Sequence, residues 1–224
     1  WRVRCLGERV REVGLKIVGV PTSTRTAELA RQVGIHVTSL DEAKWLDLTI
    51  DGADEFDQNL ALIKGGGAAL LQEKIVATAS DQMIVIADAA KEVQQLGAFP
   101  LPIEVIPFGW QTSKALVEEM LVSMDVLARD VTLRMNGDRP LVTDESNYIL
   151  DLHLKRIGNP RQLALVLNQI PGVVENGLFI DICDIVIIGH GDGRVTVRDI
   201  NSGSETDDQI LFAPTDNIFA DLGE

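Results

Sequence analysis

Apolar positions in this chain recur in two alternating rhythms. Between Arg2 and Val13, charged residues alternate with Val3, Leu6 and Val10 at helical spacing, and Gly14 follows as a helix stop. Leu15 to Val20 is apolar and β-branched, Thr24 to Val33 reads as a helix, and Ile35 to Thr38 and Leu48 to Ile50 read as short buried strands. A helix over Ala68 to Ala79 and the continuous apolar run Met83 to Ala87 extend the series. Buried runs alternating with helices predict an α/β fold: a Rossmann-like, mostly parallel sheet with helices on both faces.

The texture changes between Gly97 and Pro107, where Pro100, Pro102 and Pro107 break any long element and predict a passage between two units. Beyond it come a helix over Thr112 to Met124, a strand over Val131 to Met135, the turn Asn136-Gly137-Asp138, and strands over Leu141 to Thr143 and Tyr148 to Leu154. Asn159 as cap and Pro160 at the first helical position open a helix to Gln169. This is the pattern of a smaller α+β, ferredoxin-like unit, assigned to residues 105–180 and inserted before the last strands. Asp184 to Ile188 is again a buried run, and Gly189 to Gly193 turns the chain into Val195 to Asp199. That segment is expected to rejoin the first sheet, which assigns the α/β unit to residues 1–104 and 181–200.

Composition narrows the partners. With 46% hydrophobic and 24% charged residues, a packed fold is expected. The formal net charge of -14 works against a nucleic-acid partner, since phosphate backbones need a basic surface. Glu205, Asp207, Asp208, Asp216, Asp221 and Glu224 concentrate acid in residues 201–224, which read as a solvated tail. Cys5 and Cys183 are too few and too far apart for a disulfide framework, so a cytoplasmic location fits. No apolar run is long enough to span a bilayer, so no membrane partner is expected. The chain begins at Trp1 rather than Met, which points to further sequence before it.

The densest chemistry lies between Asp51 and Ala77. Asp51-Gly52-Ala53-Asp54-Glu55 follows a strand, and ligands of open parallel sheets sit beyond the strands' carboxyl ends. Lys64-Gly65-Gly66-Gly67 then precedes a helix, where backbone can approach a ligand without Cβ obstruction and helix N–H groups attract anions. A glycine triplet alone is more often a simple turn. Glu73, in the second turn of that helix, is placed to reach the crevice near Lys64, although an isolated helical Glu is more often solvated. Gln72 and Lys74 are expected to face water. A carboxylate base beside a cation suits removal of a proton alpha to a carbonyl, the step of aldose–ketose isomerisation, which needs no metal or redox cofactor. Asp51, Asp54 and Glu55 do not match calcium-loop spacing, and His36, His153 and His190 show no paired ligand spacing. Gly189 to Gly193 is not followed by a helical pattern and is read as a turn, not a dinucleotide loop.

These strings resemble one family. DGADE at Asp51 to Glu55, KGGGAAL at Lys64 to Leu70, EKI at Glu73 to Ile75, IADAAK at Ile86 to Lys91 and FPLPIEVIP at Phe99 to Pro107 are similar to type A ribose-5-phosphate isomerases. PTST at Pro21 to Thr24 and IPGVVENGLF at Ile170 to Phe179 add to the match, which runs from about Leu6 to Asp199. The resemblance implies interconversion of D-ribose 5-phosphate and D-ribulose 5-phosphate in the non-oxidative pentose phosphate pathway, without a cofactor. It implies Glu73 as general base, Asp51 and Asp54 on sugar hydroxyls, and Lys64 near the developing oxyanion. Gly52, Ala53 and the backbone of Gly65, Gly66 and Gly67 would line the sugar, and Lys91 matches a second site lysine. It also implies a homodimer or homotetramer. One departure stands out: the family's Gly-Thr-Gly-Ser-Thr phosphate loop, normally ahead of the Leu6 to Val13 helix, is not in this sequence. The expectation is that the α/β unit here lacks its first strand and phosphate loop. An inactive truncated form, a non-catalytic sugar-phosphate sensor and a CoA transferase are the alternatives.

Overall fold

The helices begin where side chains can cap them, and the strands occupy the apolar runs between. In the computed structural model, which describes residues 2–210, the first half runs α1 (Arg2–Val13), β1 (Val18–Gly19), α2 (Thr24–Gln32), β2 (His36–Val37), α3 (Leu40–Ala43), β3 (Thr49–Asp51), β4 (Glu55–Phe56), β5 (Leu62–Ile63), α4 (Leu70–Thr78) and β6 (Met83–Asp88). The second half runs β7 (Leu101–Val105), α5 (Trp110–Leu121), β8 (Asp130–Leu133), β9 (Met135–Asn136), β10 (Arg139–Pro140), β11 (Tyr148–His153), α6 (Pro160–Leu167), β12 (Val173–Asn176), β13 (Leu178–Phe179), β14 (Ile185–Gly189), β15 (Arg194–Asp199) and β16 (Ser204–Gln209). Ser23 caps α2 by accepting from Thr26 N, Ser39 caps α3 through Glu42 N, and Asn159 caps α6 through Gln162 N with Pro160 behind it.

The fold is mixed α/β. Its five-stranded sheet has the order β16-β15-β14-β6-β3, in which β3, β6 and β14 are parallel and β15 and β16 fold back antiparallel. Val195–Asp199 thus rejoins the first sheet as expected. Residues 201–210 do not trail off: Ser204–Gln209 pairs residue by residue with β15, while 211–224 lie outside the described residues. β1 and β2 form a separate parallel pair.

The second large sheet is antiparallel with the order β12-β7-β11-β8, and with α5 and α6 it completes a β-α-β-β-α-β pattern of the ferredoxin-like kind. Here the structure corrects the reading of Gly97 to Pro107 as a passage. Leu101–Val105 is an inner strand, and all five of its residues are buried. A proline is tolerated there because N–H and C=O of one strand residue point to the same side. The carbonyl of Pro102 accepts from Gly177 N at 2.8 Å, just past the end of β12, so no ladder donor is missing where a full neighbour runs.

Between the two large sheets lies a small one of order β13-β5-β4. Successive strand side chains point to opposite faces, and here that alternation feeds two cores. Ile63 and Leu178 join the core of the ferredoxin-like sheet; their neighbours Leu62 and Phe179 join the core beneath β6 and β14. Lys64 follows directly on this double-anchored strand.

Candidate active site

Strand ends and one helix bring the acids and the lysine together. Asp51 ends β3, Lys64 follows β5, and Glu73 lies in the first turn of α4. The hairpin of β4 and β5 fixes the spacing between the first two, with Asp54 N donating to Ile63 O at 2.8 Å and Lys64 N to Gly177 O at 2.9 Å. Glu55 takes no part: it is buried and accepts from the backbone N–H groups of Gly97 and Phe99, holding the approach to β7.

Lys64 is the centre of the site, its side chain only 4% exposed. Its Nζ donates to Asp51 Oδ2 at 2.8 Å and to Gly52 O at 2.7 Å, and lies 3.0 Å from Glu73 Oε2. That last contact is a largely buried ion pair, with the Glu73 side chain 16% exposed. The Phe179 ring lies beneath, 5.4 Å from Nζ to its centroid. Burial works against the Lys64 charge, but Asp51 and Glu73 together outweigh it and its pKa is raised. Glu73 is also raised: burial is the largest cause, Lys64 opposes it, and the charges of Asp51 and Asp54 add to it. A carboxylate lifted above its ordinary range is a stronger base.

The glycines shape the rim. Asp54 Oδ2 accepts from Gly66 N at 2.7 Å, and a Cβ on Gly66 would stand 2.7 Å from Asp54 Oδ1, so a side chain there would displace the Asp54 carboxylate. Gly65 needs its positive φ of 105°, and Ala68 holds a left-handed φ of 60° to turn the chain into α4. Ala69 offers no side-chain cap to α4, which leaves the first-turn N–H groups available to a ligand. Beside them lies a pocket of about 240 Å³ lined by Thr22, Ser23, Gly67, Ala68, Gln72 and Glu145, among others. A groove of about 510 Å³ on another side of α4, lined by Val20, Val37, Gln72, Ile75 and Val76 among others, holds no member of the ionic cluster.

Not every expected residue joins the cluster. Ala53 packs against the core, and Lys91 sits half-buried in the 3₁₀ turn Ala89–Lys91 after β6, its side chain making no hydrogen bond or ion pair among the described residues. Thr24 is engaged by Asp144, which accepts from its N–H and hydroxyl. Two expectations are corrected. Lys74 does not face water: its Nζ donates to Glu175 Oε1 at 2.9 Å and Asn176 O at 2.6 Å. Gln72 donates to Glu145. Both point at the ferredoxin-like half because that half covers α4, which a helical spacing alone does not reveal. Arg134 and Phe179 also escaped the sequence reading; only the fold brings them to the site.

Comparison with known proteins gives one answer. A family model described as ribose 5-phosphate isomerase A (phosphoriboisomerase A) matches residues 18–193. The ribose-5-phosphate isomerase A of Ruegeria sp. (strain TM1040) is 78% identical over 224 residues, covering all of this chain and 86% of that protein. A D-ribose-5-phosphate isomerase solved in complex with phospho-erythronic acid superposes with a TM-score of 0.80 at 43% identity, over 88% of this chain and 84% of that one. A ribose 5-phosphate isomerase A structure from Methanocaldococcus jannaschii superposes with the same TM-score of 0.80 at 37% identity, over the same shares.

Proposed function

The chain belongs to the ribose 5-phosphate isomerase A family, and we propose that its Asp51–Lys64–Glu73 cluster carries the isomerisation. The protein interconverts D-ribose 5-phosphate and D-ribulose 5-phosphate. With the open-chain aldose bound, the Glu73 carboxylate takes the proton from C2, and electrons move to the aldehyde oxygen to give an enediolate. The same carboxyl returns that proton to C1, while the C2 hydroxyl loses its proton and the C1 oxygen gains one. Lys64, kept charged by two carboxylates, stabilises the negative oxygen. Asp51 and Asp54 hold sugar hydroxyls and assist ring opening; Gly52, Ala53 and the Gly65–Gly67 backbone line the sugar, with Lys91 a second lysine at the same sheet edge.

The observation that carries this reading is the buried Glu73 carboxylate, 3.0 Å from the Lys64 ammonium. Phospho-erythronic acid, bound by the relative named above, joins a planar carboxylate to a phosphate, the charge pattern of a sugar-phosphate enediolate. Replacing Glu73 by Gln tests it: sugar phosphate should still bind while ketose formation stops, and undiminished turnover would sink the assignment. Ligand-induced thermal stabilisation of the unaltered protein without any ketose formation would favour the sensor instead.

Location and assembly follow the same reading. Among the described residues no helix is long and apolar enough to cross a membrane. Cys5 and Cys183 are free thiols, in keeping with a cytoplasmic enzyme. A homodimer or homotetramer is carried over from the family resemblance, and light scattering tests it.

A further inference from the structure

The glycine turn beside the cluster has no side chains of its own to fix it. What fixes it comes from the ferredoxin-like sheet. Arg134 lies between β8 and β9, its backbone held on both sides: Arg134 N donates to Ile149 O at 2.8 Å and Leu141 N donates to Arg134 O at 2.9 Å. Its guanidinium Nε donates to Asp151 Oδ2 at 2.8 Å, and its Nη2 donates to Asp151 Oδ1. The remaining nitrogen, Nη1, donates to two successive carbonyls, Gly65 O at 2.8 Å and Gly66 O at 3.1 Å. Arg134 and Asp151 side chains are 15% and 16% exposed, so this fork is largely shielded from competing water.

Peptide planarity turns this grip into a direction. In a trans peptide the carbonyl and the following N–H point opposite ways, and the described chain has no cis bond. Drawing the Gly65 carbonyl to Arg134 therefore sends the Gly66 N–H the other way, where it meets Asp54 at 2.7 Å. Drawing the Gly66 carbonyl likewise sends the Gly67 N–H away from the guanidinium. That donor has no partner among the described residues, and Gly67 lines the pocket it shares with Thr22, Ser23, Ala68 and Gln72. We propose that Arg134, held by Asp151, is a positioning residue that aims the Gly66 N–H at Asp54 and the Gly67 N–H at a substrate oxygen. A lysine cannot replace it, because an ammonium has no planar fork to hold Asp151 and both carbonyls at once.

This inference rests on the isomerase reading, so Glu73→Gln is measured alongside. The variants are Arg134→Gln, Arg134→Lys, Asp54→Asn and the Arg134→Gln/Asp54→Asn pair, each assayed for kcat and KM with ribose 5-phosphate and for thermal unfolding. Misplaced donors should lower kcat of Arg134→Gln about 30-fold, with KM changed less than about 3-fold, and Arg134→Lys should recover only part of the loss. Because both residues act on the Gly66 N–H, the pair should lose little more than the worse single variant. The inference is overturned by kcat within about 2-fold of wild type in Arg134→Gln, by losses that multiply in the pair, or by rate losses that track loss of folded protein in both Arg134 variants. Full turnover in Glu73→Gln would instead remove Glu73 as the base, and no turnover in the unaltered protein would remove the isomerase reading, whatever Arg134 does.

Discussion

Lys64 and Lys74 approach the same buried aromatic ring, with their Nζ atoms 5.4 and 4.9 Å from the Phe179 centroid, yet their surroundings push them in opposite directions. Burial costs each ammonium. At Lys64 the two carboxylates Asp51 and Glu73 more than offset it, and the pKa rises; at Lys74 burial wins over the single partner Glu175, and the pKa falls. The acids proposed for the reaction are thus the same groups that raise the Lys64 pKa. Lys74 instead ties α4 to the end of β12, a structural use of the same side chain.

Removing Lys64 should break this contrast most severely. Lys64→Met should slow isomerisation on the order of 10³-fold, since an oxyanion loses its main partner. Lys64 also holds the Glu73 pKa down against burial, so residual activity should fade at a higher pH on the acid side than in wild type. Initial rates across pH check both. The matching change at the other lysine, Glu175→Gln, should cost about 3 kcal/mol in urea unfolding by stranding a buried ammonium, with kcat within about 3-fold. A rate loss there as large as that of Lys64→Met would erase the distinction.

Asp51→Asn sharpens the comparison by giving Lys64 one carboxylate, as Lys74 has. The Lys64 pKa should fall, and that of Glu73 should fall with it because Asp51 raises both. Both limbs of the pH–rate profile should move to lower pH. The smallest effect is expected at Glu104, a fully buried carboxyl that accepts from Thr143 Oγ1 and Asn147 Nδ2. Burial raises its pKa, with Asn147 and Thr143 opposing. Its contribution to stability is present below the unfolded carboxylate value and is lost as pH rises toward the folded one. As pH rises above the ordinary carboxylate value of about 4, the wild-type melting temperature should therefore drop relative to that of Glu104→Gln.

The cluster was legible in the sequence because local segments build it. An acid at the end of a parallel strand, a lysine after a hairpin strand and a Glu one turn into a helix need only the correct element types to converge. What came from far along the chain was not legible. Nothing near Arg134 marks it as a neighbour of Gly65 and Gly66, and Lys74 and Gln72 look solvated until the second sheet is laid over α4. The prolines misled for a physical reason. Pro102 reads as a breaker, but its missing donor falls where β12 stops, and a strand with buried faces absorbs it. The terminal acids misled in the opposite way: Ser204–Gln209 looks too polar for a strand, and its ladder to β15 needs only backbone.

That last strand has a consequence for behaviour in solution. Among the described residues β16 is the outer member of its sheet, fully exposed, and an outer strand offers peptide groups to a stray chain. Here the edge carries carboxylates: Arg198 and Arg194 tether Glu205 and Asp207 from the neighbouring strand, and Asp208 has no ion pair among the described residues. Salt weakens these exposed ion pairs as it shortens the screening length toward about 3 Å at 1 M. The acid that looked like a loose end thus lines the exposed outer strand of a sheet, tied to it by arginines of the strand beside it.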